Sequence, residues 1–207
     1  MTAASDISTY EDRLSQDLHW ALDEGGLFFE EQGSVYESLR RIVAHLNQWN
    51  IEYAITGGLA LVHHGYRRFT ENIDIIVTDQ SWRKIYDHLD GNEYWSPSPH
   101  SRLLRDCETG VRIKFYAVPQ VQGDRSYFAH ENDIRYVDLK TLIEIKLWPG
   151  IVPHGRLRHH IDAQELLKRL PLLADYSELL DKTVRPNFLE YWNLAQSVDP
   201  HCLHENA

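Results

Sequence analysis

Apolar positions recur along this chain in two rhythms, and the switches between them outline the elements. Over residues 8–24, Leu14, Leu18 and Leu22 fall at four-residue steps, which predicts an amphipathic helix stopped by Gly25-Gly26. A second helix is predicted from near Ser34, because Leu39, Ile42, Val43 and Leu46 follow the i, i+3, i+4, i+7 pattern of one packed face. The period then falls to two. Residues 51–56 predict a strand with Ile51, Tyr53 and Ile55 on one side, ended by Gly57-Gly58. Residues 59–65 predict a short helix and 72–78, rich in Ile and Val, a second strand. A helix over 80–89 follows, with Asp79 as its N-cap.

Further along, 92–106 predicts a short β hairpin or irregular segment. Over 111–118, Val111, Ile113, Phe115 and Ala117 alternate with Arg112, Lys114 and Tyr116, the signature of a half-buried strand. A short strand near 134–137, a helix over 138–148 ended by Pro149-Gly150, and a helix over 161–170 stopped by Pro171 complete the core. The Pro/Gly stretch 149–155 predicts a mobile loop, and 174–196 two tail helices. The order strand, glycine turn, helix, strand, helix, strand, helix places the chain in the α/β (α+β) class, with a small mixed sheet flanked by helices. Three segments are expected: a helical extension over 1–33, the core over 34–170, and a helical tail over 171–207.

Composition narrows the function. The 207 residues carry a formal net charge of −10, which repels phosphate at long range and argues against bulk nucleic-acid binding. Cys107 and Cys202 form neither a disulfide framework nor a zinc spacing, and no apolar run reaches membrane-spanning length. A cytoplasmic protein is expected. Among the twelve histidines, the pairs His63-His64 and His159-His160 read as ordinary surface histidines rather than metal ligands.

The residues able to carry chemistry lie close together in sequence. Gly57-Gly58 sits between a strand and a helix, where glycine permits a tight turn and free N–H groups can bind phosphate. Asn72 and Asp74, two apart on a strand, place two oxygen-bearing groups on one face, the arrangement a magnesium–nucleotide site needs. Lys114 lies on the polar face of its strand and would meet Asp74 if the two strands are neighbours. Arg67 and Arg68 are candidates for positioning phosphate or a solvated loop pair. Taken singly, each feature has a plainer reading: a turn, a polar strand pair, an exposed sheet lysine.

In combination, the stretch from Gly57-Gly58 through Gly65, Arg67, Arg68 and Thr70 to Asn72-Ile73-Asp74 resembles the signature of the nucleotidyltransferase superfamily. The branch it resembles most contains the minimal nucleotidyltransferases and the AbiEii-type toxins of toxin–antitoxin systems. Gly110–Phe115 looks like the strand bearing that family's third carboxylate. Leu139–Leu147 resembles the helix with an inward lysine, here Lys146, and Gly155–Leu166 its last core helix. The resemblance spans about residues 35–170. It implies a nucleotidyltransferase-type fold. It also implies nucleotide or phosphate binding by Gly57, Gly58, Arg67, Arg68, Thr70 and Lys146, and a catalytic and metal site at Asp74, Asn72 and the Lys114 position.

The chain departs from the family at that site. Asn72 stands at the first carboxylate position and Lys114 at the third, so only Asp74 survives; His159 stands where an aspartate is usual. Relative to three carboxylates the site shifts by about three positive charges, one from Asn72 and two from Lys114. Magnesium binding is therefore expected to be weak or absent, and Lys114 to sit in the place of a metal and pair with Asp74. Three functions stay open. The first is transfer of a nucleoside monophosphate from a nucleotide to an acceptor. The second is a catalytically inactive relative, a pseudoenzyme, that binds nucleotide or a protein partner in a toxin–antitoxin setting. The third is a structural role with no ligand.

Overall fold

The computed structural model describes residues 9–89, 93–98, 101–118, 134–148 and 153–197. They fall into two units, one comprising residues up to Val62 together with Arg67–Val137, the other His63–Tyr66 and the residues from Asp138 onward.

The first unit is a five-stranded mixed sheet with helices, the architecture expected. Its strands are β1 (Tyr53–Thr56), β2 (Asn72–Thr78), β3 (Tyr94–Trp95), β4 (Leu103–Asp106) and β5 (Arg112–Val118). The order across the sheet is β1-β2-β5-β4-β3. β1 and β2 are antiparallel and β2 and β5 parallel, while β4 is antiparallel to both β5 and β3. The segment expected to form a strand near 134–137 contributes a single parallel bridge from Tyr136 to Ile55. Ile73, Ile75 and Val77 on β2, with Ile113 and Phe115 on β5, point to the buried side of the sheet. There α5 (Asp79–Leu89) covers them, with Trp82 packed 4.9 Å from Phe115 between ring centroids.

Four helices of this unit show where periodicity alone misleads. The single helix expected over 8–24 is two, α1 (Tyr10–Gln16) and α2 (Leu18–Phe29), separated by Asp17, whose carboxylate caps the second by accepting from Trp20 N–H at 3.0 Å. Gly25-Gly26 does not end α2. The helix runs through both glycines and turns only at 30–32, where Glu30 N–H bonds back to the Leu27 carbonyl. α3 (Gly33–Gln48) presents Leu39, Ile42, Val43 and Leu46 to the core as predicted. α4 (Gly57–His63) starts on the glycines themselves, earlier than its apolar residues suggested. Asp79 is not the cap of α5: Thr78 Oγ1 accepts the Ser81 N–H at 3.1 Å, and Asp79 instead accepts from Arg102 at 2.7 Å.

The second unit is helical. α6 (Leu139–Leu147) is capped by Asp138, whose carboxylate accepts from Thr141 N–H. α7 spans Pro153–Arg169, so part of the stretch read as a loop, from Pro153 on, is helix; Pro at its first position costs no hydrogen bond. The remainder of that expected loop, 149–152, lies outside the described residues. A 3₁₀ turn (Ala174–Leu179) and α8 (Arg185–Gln196) form the two tail elements. Leu142, Ile143, Leu147, Ala163, Leu166, Leu167 and Phe188 are buried. Among the described residues no helix is long and apolar enough to cross a membrane.

Candidate functional site

The antiparallel register sets Thr56, the last residue of β1, directly across from Asp74 on β2. The parallel register sets Asp74 across from Lys114 on β5, with Asn72 opposite Arg112 one step before and Ile76 opposite Tyr116 one step after. Because cross-strand partners share a face, Thr56, Asn72, Asp74, Arg112, Lys114 and Tyr116 lie on one side of the sheet, away from α5. Alternation had placed Asn72 and Asp74 on one face and Lys114 on the polar face of its own strand, and the parallel pairing of β2 with β5 brings the two faces together.

Both glycines of the turn are required by what they touch. Gly57 has φ +67°, and a Cβ built on it would lie 2.9 Å from Asp74 Cγ and 3.0 Å from Asp74 Cβ, with Oδ2 closer still. No residue with a side chain fits there without displacing the aspartate. A Cβ on Gly58 would lie 2.6 Å from both Cβ and Oγ1 of buried Thr70. The chain thus turns from β1 into α4 with its backbone pressed against the Asp74 carboxylate and against the residue that leads into β2. Glycine is needed at Gly57 for the left-handed backbone and at both positions for the close approach.

Among the described residues the only hydrogen bond to Asp74 comes from the Tyr116 hydroxyl, 3.2 Å from Oδ1. Burial, the Asp74 charge and that hydrogen bond push the Tyr116 hydroxyl well above the usual tyrosine range, so it stays protonated and keeps donating. The expected ion pair between Lys114 and Asp74 does not form. The two sit side by side across the strands, and the longer Tyr116 reaches back one pleat to take the carboxylate, leaving Lys114 without an ion pair among the described residues. Arg112 is otherwise engaged: its Nε lies 3.2 Å from Glu11 Oε1, and Glu11 also takes Arg105 at 2.8 Å.

Thr56 is the second residue that the sequence pattern did not single out. It is 5% exposed, and its Oγ1 has no hydrogen-bond partner among the described residues. A buried hydroxyl left in that state costs about 1–3 kcal/mol, so this position is one a ligand would improve. A polar residue ending an otherwise apolar strand, just before two glycines, was the available sequence signal.

The remaining candidates have other surroundings among the described residues. Arg67 is exposed; Arg68 is half-buried and donates to the Phe69 carbonyl at 3.4 Å. Lys146 belongs to the second unit, where its Nζ donates to Asp162 Oδ2 at 2.7 Å with both side chains 4% exposed. The inward lysine therefore serves an internal ion pair between α6 and α7, a partner that the reading of Lys146 as a cleft residue did not anticipate.

As a magnesium site the arrangement is poor. Two magnesium ions need several anionic oxygens, and this face offers one carboxylate, already bonded to a tyrosine, with an amide before it and an ammonium beside it. Among the described residues there is no group of three or more His, Cys, Asp or Glu able to hold a metal ion. The donor set does not fit a two-ion centre.

No protein-family profile matches the sequence, and no curated protein matches it. Solved structures that resemble the fold include two of the same protein. One is a crystal structure of ANT(2")-Ia in complex with adenylyl-2"-tobramycin, with 15% identity and a TM-score of 0.47 over 75% of this chain and 97% of that one. The other is a solution structure of the antibiotic-resistance factor ANT(2'')-Ia, with 13% identity and a TM-score of 0.40 over 81% of this chain and 96% of that one.

Proposed function

We propose that this chain is a nucleotidyltransferase-like protein that binds the phosphates of a nucleotide at the corner formed by Thr56, Gly57, Gly58 and Asp74, without a two-magnesium centre. The observation that carries the reading is the contact between the Gly57 backbone and the Asp74 carboxylate, which excludes every side chain at Gly57. A turn held this close to a polar sheet face leaves backbone N–H groups as the nearest donors for an incoming anion. The orphaned Thr56 hydroxyl supports it independently.

On this reading Lys114 supplies the charge. Among the described residues its ammonium makes no ion pair, and it lies beside Asp74, where it can bridge the carboxylate and a phosphate oxygen. Asn72 and Thr70 add neutral hydrogen-bonding groups at the mouth of the turn. Transfer of a nucleoside monophosphate would need metal ions that Asn72 and Lys114, standing in place of carboxylates, are not able to hold, so the function supported best is binding. Kinship with the AbiEii-like branch and a toxin–antitoxin setting rest on the sequence resemblance alone.

Calorimetry with ATP, GTP, CTP and UTP, each with magnesium and with EDTA, tests the proposal. At least one nucleotide is expected to bind in EDTA, and Lys114→Ala to weaken that binding about ten-fold or more, equivalent to about 1.4 kcal/mol. Failure of all four to bind under either condition would overturn it. Radiolabel transfer by the Asn72→Asp, Lys114→Glu double variant, set against the wild type, asks whether restoring the carboxylates restores a transferase.

A further inference from the structure

The helix α2 carries an apolar stripe with nothing in this chain to cover it among the described residues. Leu18 is 70% exposed, Leu22 65% and Phe29 45%. At 100° per residue these three fall within a narrow arc, and Gly25 and Gly26 complete the same arc on either side. The opposite face of the helix is the one that packs inward, through Glu24 and Phe28.

Among the described residues nothing accounts for the glycines. Neither has a left-handed backbone, and a Cβ on either would meet nothing within 4 Å. Glycine is the poorest helix former after proline, so two in succession inside a helix weaken it without any local return. Their effect is outward: they cut a notch in the middle of an exposed apolar ridge, into which another helix can settle closely.

We propose that this face binds a second copy of the chain, two α2 helices packing antiparallel about a two-fold axis. The stripe is complementary to itself in that orientation. With the axis between residues 23 and 24, Leu22 of one copy lies over the Gly25-Gly26 notch of the other and Leu18 lies against Phe29, each contact occurring twice. The flank agrees. His19 and Glu30 lie on the same edge of the stripe, both exposed, and the two-fold brings His19 of each copy within one turn of Glu30 of the other. A parallel arrangement would instead put this edge of the two copies on opposite sides of the seam, where His19 and Glu30 could not meet. A single helix pair is a small interface, so the association is expected to be concentration-dependent rather than obligate.

Sedimentation equilibrium of the full chain, from low concentration up to ~1 mM, reads the outcome directly, since even a weak association registers there. The mass is expected to rise from 24.2 kDa toward twice that value. Leu22→Glu is expected to hold it at the monomer. Gly25→Ala with Gly26→Ala is expected to raise the midpoint of thermal unfolding measured on dilute monomer, because helix propensity improves, while weakening association at least ten-fold, because the notch is filled. A glycine pair with only an internal structural role would not move those two readouts in opposite directions. His19→Lys is expected to tighten the dimer and His19→Glu to loosen it. A monomer at every concentration, a dimer indifferent to Leu22→Glu, or loosening by His19→Lys would overturn the proposal.

Discussion

Two aspartates of the same sheet, Asp106 at the end of β4 and Asp74 in β2, stand in opposite circumstances. Asp106 is fully buried and saturated: Arg41 donates to both carboxylate oxygens at 2.7 Å, and the backbone N–H groups of Glu108 and Thr109 donate to Oδ1 at 2.9 and 3.3 Å. Asp74 is half-buried, takes one long hydrogen bond from a tyrosine, and has a glycine backbone pressed against it. A carboxylate whose lone pairs are all used holds the fold. One left mostly unused, beside a lysine and a buried hydroxyl that have no partner among the described residues, is the one on which the proposed nucleotide site rests. The contrast separates a saturated charge from an available one more clearly than burial does.

The largest effect expected from this contrast is at Asp106. Asp106→Ala leaves Arg41 with only the exposed Glu108 carboxylate among the described residues and strands two backbone donors, and should cost about 3–5 kcal/mol in urea denaturation. A cost under about 1 kcal/mol would mean that the saturated network does not hold the fold. Next comes Gly57→Ala, which forces a Cβ into Asp74 and a side chain into the left-handed region, at about 1–3 kcal/mol. Adding Asp74→Gly should return part of that loss, because the collision partner is gone while the backbone strain stays. If the double variant is no more stable than Gly57→Ala alone, the close approach is not what makes Gly57 necessary. Asp74→Asn should leave stability within about 0.5 kcal/mol yet tighten nucleotide binding in EDTA, since a negative charge beside the phosphate has been removed. A stability loss like that of Asp106→Ala would place Asp74 among the structural charges.

The smallest expected effect concerns Glu11, which holds Arg112 away from the site. Burial raises its pKa, but hydrogen bonding and the charges of Arg105 and Arg112 outweigh that, and the net shift is downward. A carboxylate depressed in the folded state contributes stability that is present above its unfolded pKa and is lost as pH falls through the folded one. Glu11→Gln should therefore lower stability modestly at neutral pH and flatten the acid limb of a pH–stability curve, so that variant and wild type converge as pH falls below the ordinary carboxylate range.

The sequence made the sheet more legible than the site. The bounds of β2 and the shared face of Asn72 and Asp74 followed from alternation, because Ile73, Ile75 and Val77 mark the buried side, whereas Lys114 joins that face only through the pairing of β2 with β5. Period two cannot show which neighbour on a face makes contact, so the Tyr116 bond to Asp74 was not visible and a Lys114 pair was expected in its place. Helical period was equally blind at Asp17: Leu14, Leu18 and Leu22 keep their spacing across a break made by a side-chain cap. Gly25-Gly26 looked like a stop because glycine is a poor helix former, but propensity is weak beside packing, and Phe28 beyond the glycines is buried. Lys146 needed knowledge of Asp162, sixteen residues away on another helix, which no local pattern supplies.

The account stands most directly on where a nucleotide's phosphates come to rest. An amide-resolved NMR titration of the protein with the nucleotide that calorimetry selects, in EDTA, reports this residue by residue. The account predicts the largest shifts at Gly57 and Gly58, with Asp74 and Lys114 following along the same binding curve. Shifts confined to other elements, with the Gly57 and Gly58 amides unmoved at saturation, would contradict it.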